Sequence, residues 1–293
     1  MTKKAQRPRR RIVNVIADLH SGHKLALMPP NIELEDVDET GQLCTFTPEL
    51  LAIQKYLWGR YEDDLDAVQT LAGKDEIIVF VDGDLHQGEK HPARMVTTLL
   101  SNHILIGVEN VRRAIRSKNV KTVRIIQGTD AHNFGSGASE VLATKLLQDM
   151  PGKDVRCVTH SLADIDGVLF DLAHHGPSGG TRYWLNGNVA RYYLRSAMLT
   201  DLGLGRKPAD VYVRAHYHTF IWETVRIEFD GVLHTSHIII MPSYAGLGSY
   251  GRQATRSTPV QTHGCVAFEV IGGKLGGVYP FKKTLDLRMK ETL

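Results

Sequence analysis

Residues 77–88 read Ile77-Ile78-Val79-Phe80-Val81-Asp82-Gly83-Asp84-Leu85-His86-Gln87-Gly88. Five consecutive apolar residues, most of them β-branched, are the pattern of a strand buried on both faces. The run stops at Asp82, Gly83 and Asp84, and Gly83 permits a sharp turn where the strand ends. Open α/β sheets place their ligands at that end. A carboxylate fixed there, such as Asp84, has two oxygens with which to bridge two cations.

An Asp-Gly turn with a solvated carboxylate would explain this stretch if it stood alone. It does not. Residues 12–17 (I-V-N-V-I-A) form a second apolar strand ending in Asp18-Leu19-His20, and alternate residues of an extended chain face the same way, so both side chains can reach one cation. Residues 120–126 lead to Gly128-Thr129-Asp130-Ala131-His132, residues 168–173 to His174-His175-Gly176, and residues 211–214 to Ala215-His216-Tyr217-His218. Burying so many ionisable groups together without a cation costs several kcal/mol. Mixed carboxylate and imidazole donors suit divalent transition metals, Mn first and then Fe, Zn, Ni or Co, over Ca or Mg. The donors outnumber what one tetrahedral ion needs, which implies two ions. Such a pair can clamp a phosphate and activate a hydroxide.

Outward from these strand ends, residues 24–46 are irregular, with Pro29-Pro30 and an acidic run, and read as one long loop. Helical spacing predicts helices over residues 50–71, 92–117, 140–150 and 182–202, the first closed by Gly73. Residues 155–158 read as a further strand. Residues 220–229 and 232–241 flank Asp230-Gly231 and predict a hairpin, followed by a glycine-rich loop and a last strand pair near residues 266–271 and 277–281. The order is β-α-β-α first and sheet-rich later, with no internal repeat and no linker: one α/β domain over residues 12–293.

The chain has 293 residues, 42% hydrophobic and 23% charged, with a net charge of +3. This is an ordinary globular composition that carries no membrane-spanning run and no apolar segment of a signal peptide. Lys3, Lys4, Arg7, Arg9, Arg10 and Arg11 crowd the first eleven positions, a basic tail read as disordered and solvated and able to hold phosphate backbones if it binds anything. Cys44, Cys157 and Cys265 are odd in number without paired spacing, which fits reduced thiols in a cytoplasmic compartment.

The ordered set Asp18-Leu19-His20, Gly83-Asp84, Gly128 to His132, His175-Gly176 and Ala215-His216-Tyr217-His218 resembles the calcineurin-like metallophosphoesterases over residues 12–220. The resemblance implies a four-layer α-β-β-α sandwich of two mixed sheets. It also implies that Asp18, His20 and His218 hold one metal, that His175 and His216 hold the other, and that Asp84 bridges them. The chain departs from the family where Thr129 and Asp130 stand in place of Asn and His, and Ala215 replaces Gly. Asp130 is expected to take over as a metal ligand and His132 to act as the acid, a variant that resembles phage and prophage forms. The Arg with which the protein phosphatases of the family grip a monoester is absent from residues 83–89. The expected function is therefore a phosphodiesterase or nuclease using a metal-bound hydroxide, its substrate a phosphodiester such as DNA or RNA. His86, Lys90, His91, Arg182 and Tyr183 are the candidate substrate contacts. The alternatives are a phosphomonoesterase and a catalytically weak nucleic-acid-binding module.

Overall fold

In the computed structural model, which describes residues 8–90, 92–133, 138–178, 185–248 and 259–292, β1 (Arg10–Ala17) and β4 (Glu76–Asp82) run parallel in register from Arg11↔Glu76 to Ala17↔Asp82. Two faces of apolar residues explain their central place. Ile12 and Ile16 of β1 and Ile77, Val79 and Val81 of β4 pack on one side, while Val13, Val15, Ala17, Ile78 and Phe80 pack on the other. β5 (Val120–Ile126) and β6 (Asp154–Val158) extend the sheet in parallel beyond β4. Antiparallel β12 (Val260–Ile271) and β13 (Lys274–Asp286) complete it on the β1 side, giving the order β13-β12-β1-β4-β5-β6.

The second sheet has the order β10-β11-β9-β8-β7, from β7 (Ser161–Ile165), β8 (Val168–Leu172), β9 (Val211–Arg214), β10 (Ile221–Phe229) and β11 (Val232–Ile240). Phe170, Leu172, Val211, Val213 and Ile239 face Phe80, Val266 and Phe268 across the gap and form the core between the sheets. Three helices, α1 (Ala52–Ala72), α2 (Leu100–Ile115) and α3 (Ala138–Gln148), cover the outer face of the first sheet, and α4 (Asn188–Gly203) covers the second through Ala190, Leu194 and Met198. The expected α/β sandwich of four layers is what forms, and both central sheets are mixed.

Several local expectations give way. Residues 92–117 are not one helix: a 3₁₀ turn, Pro92–Arg94, precedes α2. Between them Val96 N–H bonds Gly22 O at 2.8 Å, and the Thr97 hydroxyl accepts from Leu99 N–H, so a threonine competes with the helix for backbone partners. The loop over residues 24–46 contains a small hairpin, β2 (Leu34–Val37) with β3 (Leu43–Phe46). β7 is an additional strand, closed onto β8 through the Asp166-Gly167 turn. The basic tail ends earlier than residue 11, because Arg10 and Arg11 already belong to β1. Arg10 bonds Asp75 at 2.7 Å and Glu269, and Arg9 and Arg11 both approach Glu76 and Asp166. Lys3, Lys4 and Arg7 lie outside the described residues. The predicted hairpin turn is confirmed: Asp230 (φ 49°) and Gly231 (φ 72°) have the paired positive angles that match the strand twist.

Among the described residues no helix is long and apolar enough to cross a membrane. Phe268 is fully buried between the sheets with its ring 5.4 Å from Phe170. Phe268→Ala should lower unfolding free energy by about 3–5 kcal/mol in urea denaturation. A loss below 1 kcal/mol would mean that the inter-sheet core does not hold the layers together.

Candidate metal centre

Asp18 and Gly83 leave the sheet together, because β1 and β4 end in register, and Asp18 N–H reaches Gly83 O at 3.3 Å. The two chains then run side by side, with His20 N–H on Asp84 O at 2.9 Å and Ser21 N–H on Leu85 O at 2.9 Å. In the second sheet Ala215 N–H bonds His174 O at 2.9 Å, and across the gap His216 N–H donates to Asp18 Oδ2 at 3.1 Å. Asp18, His20, Asp84, His216 and His218 all have left-handed backbone angles, φ between 43° and 72°. Asp and His tolerate this region better than most residues, yet each such angle costs of order 1–3 kcal/mol and persists where surroundings impose it. The cross-links between strand ends impose it here, and the left-handed turns aim the side chains into one space.

Asp84 stands at the centre. Its Oδ1 accepts Thr129 N–H at 2.6 Å, and its Oδ2 lies 3.1 Å from His174 Nε2, 3.2 Å from Thr129 Oγ1, 3.8 Å from His216 Nδ1, and 4.0 Å from both His20 Nε2 and His132 Nε2. Asp18 Oδ1 is 3.3 Å from His218 Nε2 and 3.7 Å from His20 Nε2, and the two imidazole nitrogens stand 3.1 Å apart. Three sets result: Asp18, His20 and His218; His20, Asp84 and His132; Asp84, His174 and His216, each with ligand atoms within 4.8 Å of one another. Two glycines make the approach possible. A Cβ at Gly128 would collide with the Asp84 backbone and carboxylate, and one at Gly83 with the His174 ring.

The electrostatics fit cation binding. Burial pushes Asp84 upward, but the adjoining His174 and hydrogen bonds from His174 and His216 outweigh it and hold the carboxyl well below its usual range. Asp18 is likewise held below normal, burial being outweighed by His218, His20 and His174. Burial, aided by His132, lowers His20 to about 4, which leaves it neutral at pH 7. His174 goes the other way: burial would lower it, but Asp84, Asp18 and Asp82 raise it from 6.5 to about 10. His218 Nδ1 is buried without a hydrogen-bond partner, and Asp18 Oδ1 and His174 Nε2 meet only the imidazoles and carboxylates of the centre itself. Two buried anionic carboxylates and several imidazoles with lone pairs turned inward are a donor set that could hold metal ions.

The structure sorts the expected residues. Asp18, His20, Asp84, His216 and His218 come together as read, and His132 joins them through Nε2 while Nδ1 faces Gln87 O at 2.8 Å. Asp130 does not. Thr129 is turned inward by its N–H and hydroxyl on Asp84, so the next residue in the 3₁₀ turn points its carboxylate to solvent. His175 stands at the rim, exposed, its Nε2 3.4 Å from Thr129 Oγ1. His174 occupies the interior instead. Alternation along β8 places residue 174 on the face of Phe170 and Leu172, so this was legible from the strand's own period. Thr129, a backbone donor to Asp84, had no such signal.

Among the substrate candidates, His86 is corrected: it is fully buried under α2, against His103 and Gly107, with burial and His103 lowering it to about 3. It cannot meet a substrate. Lys90 is exposed on the loop after β4. His91, Arg182 and Tyr183 lie outside the described residues. Neither the models of known protein families nor the sequences of curated proteins match this chain.

The raised imidazole of His174 has a measurable consequence. In the metal-free protein it stabilises the fold fully below pH 6.5, and that contribution fades as pH rises toward about 10. A metal ligated by His174 must displace its proton, so apparent affinity should rise with pH through neutrality. Calorimetric titration of Mn²⁺ at pH 7 in buffers of different ionisation enthalpy should show release of about one proton from this group. Binding without proton release would remove His174 from the ligand set.

Proposed function

We propose that the chain is a two-metal phosphoesterase of the calcineurin-like type, with phosphodiesters, including nucleic acids, as its substrate class. The observation that carries this reading is the Asp84 carboxylate, shared between two of the three ligand sets while His20 links it to the third. Asp18, His20 and His218 would hold one ion, and Asp84, His174 and His216 the other, with Asp84 common to both. Two divalent ions there would neutralise phosphate charge and activate water.

The chain's own residues supply the rest. Thr129 fixes the Asp84 carboxylate with two hydrogen-bond donors, one of them a backbone N–H that cannot swing away. His132, with Nδ1–H on the Gln87 carbonyl, presents Nε2 to the centre, the atom from which an imidazolium would protonate a departing alkoxide. Preference for a diester is supported by the lack of an arginine in residues 83–89, since a diester carries one negative charge where a monoester carries two. The described arginines of the amino-terminal stretch add little support for nucleic acid, because Arg9, Arg10 and Arg11 are engaged with Glu76, Asp166, Asp75 and Glu269.

Hydrolysis of bis(nitrophenyl) phosphate and nitrophenyl phosphate should be compared with Mn²⁺ present. The expected outcome is a higher kcat/KM for the diester and about two metals bound per chain. A monoester preference would overturn the diester assignment, and one metal or none would overturn the two-ion centre. Asp84→Asn should reduce occupancy of both positions.

His132 has a separate test, because leaving-group protonation matters most for poor leaving groups. His132→Ala should slow cleavage of an alkyl diester such as DNA by about 10²- to 10⁴-fold. Cleavage of the nitrophenyl diester and metal content should change little. Loss of one metal, with both substrates affected alike, would make His132 a ligand.

A further inference from the structure

Glu140 is a buried carboxylate to which the metal centre gives no part. It stands in the first turn of α3, is fully buried, and makes no ion pair among the described residues. A carboxylate there suits the positive end of the helix dipole, but it could do so from the surface. Burial, with Asp84 nearby, pushes this carboxyl up to about 7 against the pull of its hydrogen bonds. An ionisable group in the interior is costly unless it is well hydrogen-bonded, so the identity of its partners matters.

Those partners lie at the two ends of one turn. The Asn133 amide, oriented with its nitrogen toward the carboxylate, donates to Glu140 Oε1 at 2.7 Å and to Ser139 Oγ at 2.8 Å. Ser139 Oγ in turn donates to Glu140 Oε2 at 3.0 Å. From the other end, Gly128 adds a backbone hydrogen bond to the same carboxylate. Between Gly128 and Asn133 stand Thr129, whose N–H bonds Asp84 Oδ1 at 2.6 Å, and His132, whose Nε2 lies 4.0 Å from Asp84 Oδ2. The inner side of the turn rests on the loop after β4. There His132 Nδ1 meets Gln87 O at 2.8 Å, and Gly88 approaches so closely that a Cβ would collide with Ala131 O. Glu140 holds the outer side.

We propose that Glu140 is a positioning residue, a clamp on the 128–133 turn that keeps Thr129 on Asp84 and aims His132 at the centre. A carboxylate suits the task because it only accepts, on two oxygens, and its partners all donate. A glutamine of the same shape would turn an NH₂ group against one of these donors and loosen the clamp. The inference rests on the roles given above to Thr129 and His132, but the first arm of its test needs neither catalysis nor metal.

That arm is amide hydrogen exchange of the full chain. In Glu140→Gln the Thr129 amide should exchange about tenfold faster than in the wild type, while the Leu147 amide, near the end of α3, keeps its wild-type rate. Asn133→Ala removes one tie and leaves Glu140 in place. It should shift Thr129 in the same direction, and it keeps the test decisive if Glu140→Gln fails to fold. The second arm is hydrolysis with Mn²⁺ saturating. Both variants should lower kcat for DNA about tenfold or more, and lower it less for bis(nitrophenyl) phosphate. Phe268→Ala, destabilised in the inter-sheet core, should keep the wild-type ratio of the two rates. The proposal is overturned if Thr129 exchanges at the wild-type rate in the folded variants. It is overturned too if Leu147 accelerates as much as Thr129, which would make Glu140 a helix cap alone. A substrate ratio shifted by His132→Ala but by neither variant would also overturn it. An unshifted ratio in His132→Ala would count against the acid assignment instead, and the exchange rates would then decide for Glu140.

Discussion

The strand ends of both sheets meet at the carboxylate of Asp84. It is 1% exposed, and it takes a backbone N–H from Thr129 on one oxygen while imidazoles surround the other. A buried charge in that setting demands compensation from several directions at once, and the fold provides it from elements far apart in sequence. Thr129 arrives from the loop after β5, His174 from β8 and His216 from β9. The two sheets are therefore joined by more than their apolar faces: they share one electrostatic account at their common edge.

The sheets can share it because of how their strands end. The inter-sheet core stops at Ala17, Leu172 and Ala215, and directly beyond Ala17 and Ala215 the chain turns left-handed, at Asp18 and His216, instead of continuing. Apolar packing sets the distance between the sheets, backbone hydrogen bonds across the strand ends lock the turns, and the ionisable groups fall into the gap. The strain of five left-handed Asp and His residues is thereby carried by a packed core. Side chains held in place by such turns would lower the cost of organising ligands around a cation.

Charge is distributed unevenly within this centre. His20 is held neutral by burial and neighbouring imidazoles, whereas His174, closer to the carboxylates, is held protonated. The difference comes from distance to Asp84, 4.0 Å against 3.1 Å, and from the shell of Asp18 and Asp82 around His174. Asp82 itself is buried with neither oxygen hydrogen-bonded, and burial raises it to about 7 although His174 and Arg214 lie nearby. In the metal-free protein the proton on His174 substitutes in part for a cation.

By itself the sequence determined the buried strands, the layered α/β class and the strand ends on which Asp and His gather. These features are local: apolar runs, an Asp-Gly break, and the two-residue period of a strand can be read without knowing any neighbour. The hairpin at Asp230-Gly231 was legible for the same reason. Tertiary structure alone decided which of two adjacent residues entered the centre. Thr129 rather than Asp130 faces inward because a backbone N–H sought the Asp84 carboxylate from another strand, and His86 vanished under α2 because Gly107 leaves room for its ring. It also decided that Arg10 and Arg11 are paired strand residues and not a free tail, since their partners Asp75, Glu76, Asp166 and Glu269 are remote in the chain. A side chain's direction at a turn is settled by partners that only folding brings near, and no spacing along the chain encodes it.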